Sequence, residues 1–260
     1  MLGKLRKVVI VARHGPRFPM LVIPKLPKWS QPSTKLSEVA LTKKGEEACL
    51  QFGKAIRLKY GKLFPSAKFY SSPAQRTIMS AKFFAKGYLD RDISPEIDPL
   101  LRGGSDFAPS EKKYYDSRIN SMRLRNSRFN KEIYDILGVS VARFKDYFEV
   151  KSTIDCYVSE GIELPRRWTL GHMRKLDALS NDYYHKLYDN KIRDMFSKDL
   201  KLKLDSILQS DFLDGELIYF STHDAILYPL GRSFFQSNAR LAIPGTCGHM
   251  LIECYDDRNC

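Results

Sequence analysis

Two arginines flank a histidine within five consecutive residues of this chain, Arg13-His14-Gly15-Pro16-Arg17. Arginine presents a fixed fork of donors that grips phosphate oxygens in pairs, and a neutral imidazole nitrogen can attack phosphorus. The grouping therefore suits the holding of a dianionic phosphate beside a nucleophile. It directly follows the apolar run Val8-Val9-Ile10-Val11-Ala12. A short β-branched run bounded by Gly and Pro reads as a buried strand. The Arg-His-Gly turn is then delivered to that strand's carboxyl end, the edge at which open α/β sheets bind ligands.

With Phe18 and Pro19 added, the stretch resembles the histidine phosphatase superfamily, in particular its acid phosphatase and phytase branch. It fits that branch's Arg-His-Gly-x-Arg-x-Pro signature at every fixed position. The other branch, which contains the phosphoglycerate mutases, usually lacks the second arginine. Three further segments are similar to the family. Leu41-Thr42-Lys43-Lys44-Gly45 matches a Leu-Thr-x-x-Gly element. The segment from Ser72 through Arg76-Thr77 to Ser80-Ala81 looks like the one that supplies a third phosphate-binding arginine, although the family more often has Asp where this chain has Ala74 or Gln75. Thr222-His223-Asp224-Ala225 follows the strand-like run Gly215 to Ser221, as the family's His-Asp pair follows a core strand.

The resemblance implies a role for each residue. His14 is the nucleophile and forms a phosphohistidine that water later hydrolyses, dividing one hard displacement into two easier ones. Arg13, Arg17, Arg76 and His223 bind the substrate's phosphoryl oxygens and stabilise their charge in the transition state. Asp224 protonates the leaving alcohol and then accepts a proton from the attacking water. Three arginines supply the positive charge, so neither a metal nor another cofactor is expected. The implied activity is that of a histidine acid phosphatase with an acidic optimum, acting on small or varied phosphomonoesters. A phytase-type inositol phosphate phosphatase is the alternative. A mutase would usually carry Glu as the acid and no second signature arginine, which Arg17 and Asp224 argue against. A silent phosphate-binding regulator would commonly lack the nucleophile or the acid, and both are present.

Several elements must position these groups. Pro19, Pro24, Pro27 and Pro32 make Phe18–Ser37 a loop at the rim of the site. A helix is predicted from Leu41 to about Tyr60, with Ala48, Phe52 and Ile56 on one stripe. Lys68–Ser71 reads as a short strand. Ser72-Pro73-Ala74-Gln75 reads as a helix start, with Ser as N-cap, Pro at the first helical position and Gln closing a capping box, and the helix runs to about Lys86. Leu176, Leu179, Tyr183 and Leu187 form one apolar stripe; Leu200, Leu204, Ile207 and Leu208 form another. A last strand is predicted over Cys247–Tyr255. The expected fold is α/β: a central mixed, mainly parallel sheet flanked by helices, phosphoglycerate-mutase-like, with an inserted helical cap. Residues 1–103 and 210–260 would form the core, and 104–209 the mainly helical cap.

The 260 residues, 43% of them hydrophobic, suffice for one sizeable core with an insertion. No stretch approaches the ~18–20 apolar residues of a membrane span. Val8 to Ala12 is shorter than the ~7–15 residues of a signal peptide's apolar region. The net charge of +13 fits attraction of a phosphorylated small-molecule substrate. Arg118, Arg123, Arg125, Arg128 and Lys131 crowd one region, but without the aromatic interleaving of single-stranded nucleic-acid sites, so no nucleic-acid partner is expected. Cys49, Cys156, Cys247, Cys254 and Cys260 are odd in number and contain no CxxC pair, which argues against a zinc site and suits a reducing, cytoplasmic setting, whereas the resemblance points to a mature secreted or periplasmic chain as the alternative. His172, His185 and His249 have no neighbours suggesting chemistry and are expected to be structural.

Overall fold

The computed structural model describes residues 3–29, 35, 38–103, 107–122, 126–210, 215–235 and 241–256. Pro32, Arg123, Arg125 and Cys260 lie outside the described residues. The first strand, β1 (Leu5–Arg13), runs inside a five-stranded sheet. Its apolar run is unbroken because both faces are covered. Val8, Ile10 and Ala12 pack into one apolar cluster, and Val9 and Val11 into the cluster on the opposite face.

After β1 come α1 (Lys43–Tyr60), β2 (Ala67–Ser71), α2 (Gln75–Leu89) and the two-residue β3 (Glu96–Ile97). Five helices follow: α3 (Pro109–Ser121), α4 (Ser127–Leu137), α5 (Phe144–Ser159), α6 (Leu170–Leu187) and α7 (Asn190–Gln209). The chain then returns through β4 (Glu216–Thr222), α8 (Asp224–Phe234) and β5 (His249–Tyr255). The strand order is β3-β2-β4-β1-β5, with only β5 antiparallel to its neighbour. The expected mixed, mainly parallel sheet is therefore observed. Helices α1 and α2 cover one face; residues of α4 to α8 share the apolar cluster of the other.

Two boundaries differ from the sequence reading. Helix α2 begins at Gln75 with Ala74 as its N-cap residue; Ser72 Oγ accepts from the Ala74 amide at 3.4 Å but closes no capping box. The Ser72 hydroxyl also meets Thr77 Oγ1 at 2.6 Å and His223 Nε2 at 3.0 Å. Strand β5 begins two residues later than expected, at His249. Cys247 has φ +58°, a left-handed conformation that cannot extend a strand. The two apolar stripes fall on α6 and α7, with Leu176, Tyr183, Leu187, Leu200 and Leu204 buried. Among the described residues, no helix is long and apolar enough to cross a membrane.

Candidate active site

The parallel pairing of β1 with β4 aligns their carboxyl ends, Arg13 opposite Thr222, so Arg13-His14 and His223-Asp224 emerge side by side. Three elements then hold the signature turn. The His14 amide donates to the Thr222 carbonyl at 3.0 Å. The Gly15 amide donates to Ser80 Oγ at 3.0 Å, and that hydroxyl donates to the Arg76 carbonyl in α2. Helix α1 starts directly under the turn. Thr42, its N-cap, accepts from the Gly45 amide at 3.0 Å and donates its own amide to the Pro16 carbonyl. Any side chain at Gly45 would place its Cβ 1.9 Å from the Pro16 oxygen. The Leu-Thr-x-x-Gly element is thus the floor of the turn.

His14 is 3% exposed and its Nδ1 lies 2.9 Å from the Gly15 carbonyl. A carbonyl only accepts, so Nδ1 carries the proton and Nε2 is left as the bare nitrogen. Burial, followed by the charges of Arg76, Arg13 and Arg17, pushes the imidazole pKa well below its usual value. The ring is therefore a neutral base in the form needed for attack.

All three expected arginines are buried around it. Arg13 is anchored by Nη1 to the Pro244 carbonyl and by Nη2 to Asp224 Oδ2, both at 2.6 Å, while its Nε has no hydrogen-bond partner among the described residues. Arg17 donates to the Phe18 carbonyl at 2.8 Å and to Ser152 Oγ at 3.0 Å. Arg76 is lowered to about 10, first by burial and then by the neighbouring Arg17. Three guanidiniums thus face one carboxylate, an imbalance that favours a doubly charged anion.

His223, expected to bind phosphate, is held by two neighbouring side chains. Its Nδ1 lies 3.2 Å from Arg76 Nη2 and must accept, because guanidinium has only donors. Its Nε2 therefore carries the hydrogen and donates to Ser72 Oγ. Both nitrogens are engaged by the protein, so in this structure the ring orients Arg76. Burial, reinforced by Arg76, lowers its pKa to about 3. Its ring packs at 65° to that of His14, with the ring centroids 5.6 Å apart. Asp224 opens α8, and its Oδ1 accepts from the Ala225 amide at 2.8 Å. Burial raises its pKa, but Arg13, His223 and Arg17 outweigh burial and hold the carboxyl below its usual range.

A cleft of about 290 Å³ opens over Arg13, His14 and Arg17. It is also lined by Lys151, Ser152 and Asp155 of α5 and by Thr246 of the loop before β5. Lys151 Nζ sits between Asp155, at 2.5 Å, and Asp177, at 3.1 Å. The sequence reading missed Ser72 and Ser152. Ser72 resembles a helix cap, and a serine inside an amphipathic helix carries no local signal. Among the other histidines, His172 accepts from the Thr169 amide at the start of α6, and His249 packs on the Phe52 ring. Among the described residues, no three His, Cys, Asp or Glu side chains gather as metal ligands.

Residues 4–108 match the family model for the histidine phosphatase superfamily (branch 2), a span that holds Arg13, His14, Arg17 and Arg76. His223 and Asp224 lie beyond it and are joined to it by β4. No curated protein matches the chain in sequence. Many solved structures share its fold, three phytases among them. The phytase from Citrobacter braakii is 17% identical, with a TM-score of 0.70 over 96% of this chain and 81% of that one. The Klebsiella sp. ASR1 phytase is 14% identical, with a TM-score of 0.71 over 96% and 79%. The Hafnia alvei phytase is 15% identical, with a TM-score of 0.70 over 96% and 80%. The family match bears out the resemblance over residues 4–108, and the solved structures show that the whole chain shares the fold.

Proposed function

We propose that the chain is a phosphomonoester hydrolase that works through a phosphohistidine at His14. One observation carries the reading: a buried, neutral imidazole with a bare Nε2 set among Arg13, Arg17 and Arg76. Nε2 attacks phosphorus as the ester oxygen departs with a proton from Asp224. Water then attacks the phosphorus, gives a proton to the Asp224 carboxylate, and expels the His14 nitrogen with release of phosphate. The arginines stabilise the oxygens on which charge develops in both steps.

Asp224 is ionised in the free site because Arg13 lies 2.6 Å away. A phosphoryl group bound against the same guanidiniums draws on their charge and shifts Asp224 towards its acid form. Lower pH acts in the same direction, and an acidic optimum follows. The cleft over His14, about 290 Å³, suits a small phosphomonoester, which is the first substrate class to try. We read 104–209 as a cap whose α5 lines the same cleft as His14. The phytase fold neighbours keep inositol hexakisphosphate as the second substrate to try.

The test is hydrolysis of 4-nitrophenyl phosphate by the chain and by His14→Ala, with sugar phosphates and inositol hexakisphosphate compared alongside. Turnover lost in His14→Ala, with phosphate binding retained, is expected. An inactive wild-type chain that still binds phosphate would instead identify a regulator.

A further inference from the structure

Behind the signature turn, and outside the cleft, two thiols face each other. Cys49, buried in α1, has its Sγ 3.8 Å from Cys247 Sγ in the loop before β5. Neither is used by the chemistry above. Both touch the backbone that carries it. A Cβ on Gly15 would lie 2.6 Å from Cys49 Sγ, so the sulfur rests against the residue after His14. The Cys247 amide donates to the His14 carbonyl at 3.2 Å, and the Arg13 amide donates to the Gly248 carbonyl at 2.8 Å. The same loop supplies the Pro244 carbonyl that anchors the Arg13 guanidinium, and it lines the cleft through Gly245 and Thr246. Displacement of this loop therefore displaces the nucleophile and one phosphate-binding arginine together.

We propose that Cys49 and Cys247 form a reversible disulfide that switches the site off; the switching half of the proposal rests on the phosphohydrolase reading. A disulfide has an S–S length of about 2.05 Å, so the sulfurs must close by about 1.8 Å from their present separation. Cys49 is buried inside helix α1, so the closure draws on the Cys247 loop, whose backbone is bonded to His14 and Arg13. Misplacement of reacting groups by about 1 Å can cost about 10²-fold in rate. The two thiols also differ in kind. Cys247 is half-buried and is held below the ordinary thiol value by the Cys49 hydrogen bond, with Arg13 adding to the effect. Cys49 is raised by the same contact and by burial. Cys247 is thus the thiolate that reacts first and Cys49 the one that resolves.

The oxidant is a small-molecule disulfide. Cys247 thiolate attacks one of its sulfurs and expels a thiolate, leaving a mixed disulfide. Cys49, on losing its proton, attacks the Cys247 sulfur and expels the second thiolate. Two cysteine thiols are oxidised and one external disulfide is reduced to two thiols, so electrons and protons balance. Cys156 is not part of the pair, since its thiol donates to the Ser152 carbonyl in its own helix.

The experiment poises the full chain in mixtures of oxidised and reduced glutathione, alkylates free thiols, and quantifies the peptide joined through Cys49 and Cys247 by mass spectrometry. Hydrolysis of 4-nitrophenyl phosphate and inorganic phosphate affinity are measured on the same samples. The joined peptide is expected to accumulate as hydrolysis and phosphate affinity each fall at least tenfold with one midpoint, and dithiothreitol should restore both. Cys49→Ser should give no joined peptide and keep its reduced rate throughout. Cys247→Ser should also give none, which secures the pairing if the first variant misfolds. Absence of the joined peptide at the most oxidising ratio overturns the proposal. So does a joined peptide with unchanged rate and phosphate affinity, or a Cys49→Ser rate that falls at the same midpoint. A reduced chain without hydrolysis would refute the phosphohydrolase reading alone, and the peptide and phosphate affinity would still decide the switch.

Discussion

The neutral, buried state of His223 should make the folded chain lose stability in mild acid, and the size of the loss follows from its surroundings. In an unfolded chain an imidazole titrates near 6.5, whereas burial and Arg76 lower His223 to about 3. Between those values the unfolded state binds more protons than the folded one, so stability falls as pH drops through the window and levels off below about 3. At pH 4.5 the loss from this residue alone is two pH units at about 1.4 kcal/mol each, roughly 3 kcal/mol. His14, lowered well below its usual value, acts in the same direction. The loss is a large part of the ~5–15 kcal/mol that typically holds a domain together. Urea unfolding of wild type and His223→Gln at pH 7.5 and 4.5 isolates the contribution. The glutamine variant loses contacts to Ser72 and Arg76 at both pH values, but it cannot gain the proton. Wild type should lose about 3 kcal/mol more than the variant over that interval. Equal pH dependence of the two proteins, or a His223 NMR titration near 6.5, would refute the reasoning. With the predicted loss, activity in acid is set against the stability of the fold, and bound phosphate should offset part of the loss by mass action.

The remaining predictions concern the site and its floor. Asp224→Asn should slow phosphoenzyme formation far more for a sugar phosphate, whose alkoxide needs a proton, than for 4-nitrophenyl phosphate; general acid help is worth ~10²–10⁴-fold. Equal losses in that step would mean the leaving-group acid lies elsewhere. Arg17→Ala or Arg76→Ala should each cost ~3–4 kcal/mol of transition-state stabilisation, with vanadate affinity falling in parallel; an unchanged rate would place that guanidinium outside the reacting site. Gly45→Ala sets a Cβ 1.9 Å from the Pro16 oxygen, so the turn or α1 must shift. Its cost should reach the ~1–3 kcal/mol of an overpacked site, with kcat falling as well, measured by urea unfolding and steady-state rates.

What the sequence revealed depended on distance along the chain. The run Val8 to Ala12 could be read as a strand because burial on both faces removes polar residues locally. Arg13, His14 and Arg17 share one turn, so their joint chemistry was visible in five letters. The pairing of that turn with Asp224 required β4 to lie beside β1, which the residues alone do not state; there the resemblance supplied the link. The further role of Ser72 was hidden because its local pattern satisfies a helix start, while a second partner of its hydroxyl, His223, lies 151 positions away. Ser152 was not readable because its reason for being there is Arg17, 135 positions earlier. Helices α3 to α5 were only broadly expected within the cap. Helix α3 buries none of its residues and so presents little apolar pattern to read.

The phosphoenzyme tests the central claim most directly. The chain is mixed with a ³²P-labelled phosphomonoester, quenched in alkali, in which phosphohistidine survives, and the labelled peptide is sequenced. Label on His14 Nε2, absent from His14→Ala and discharged by acid, is the predicted result. Label on any other residue, or phosphate release from His14→Ala at the wild-type rate, would contradict the account.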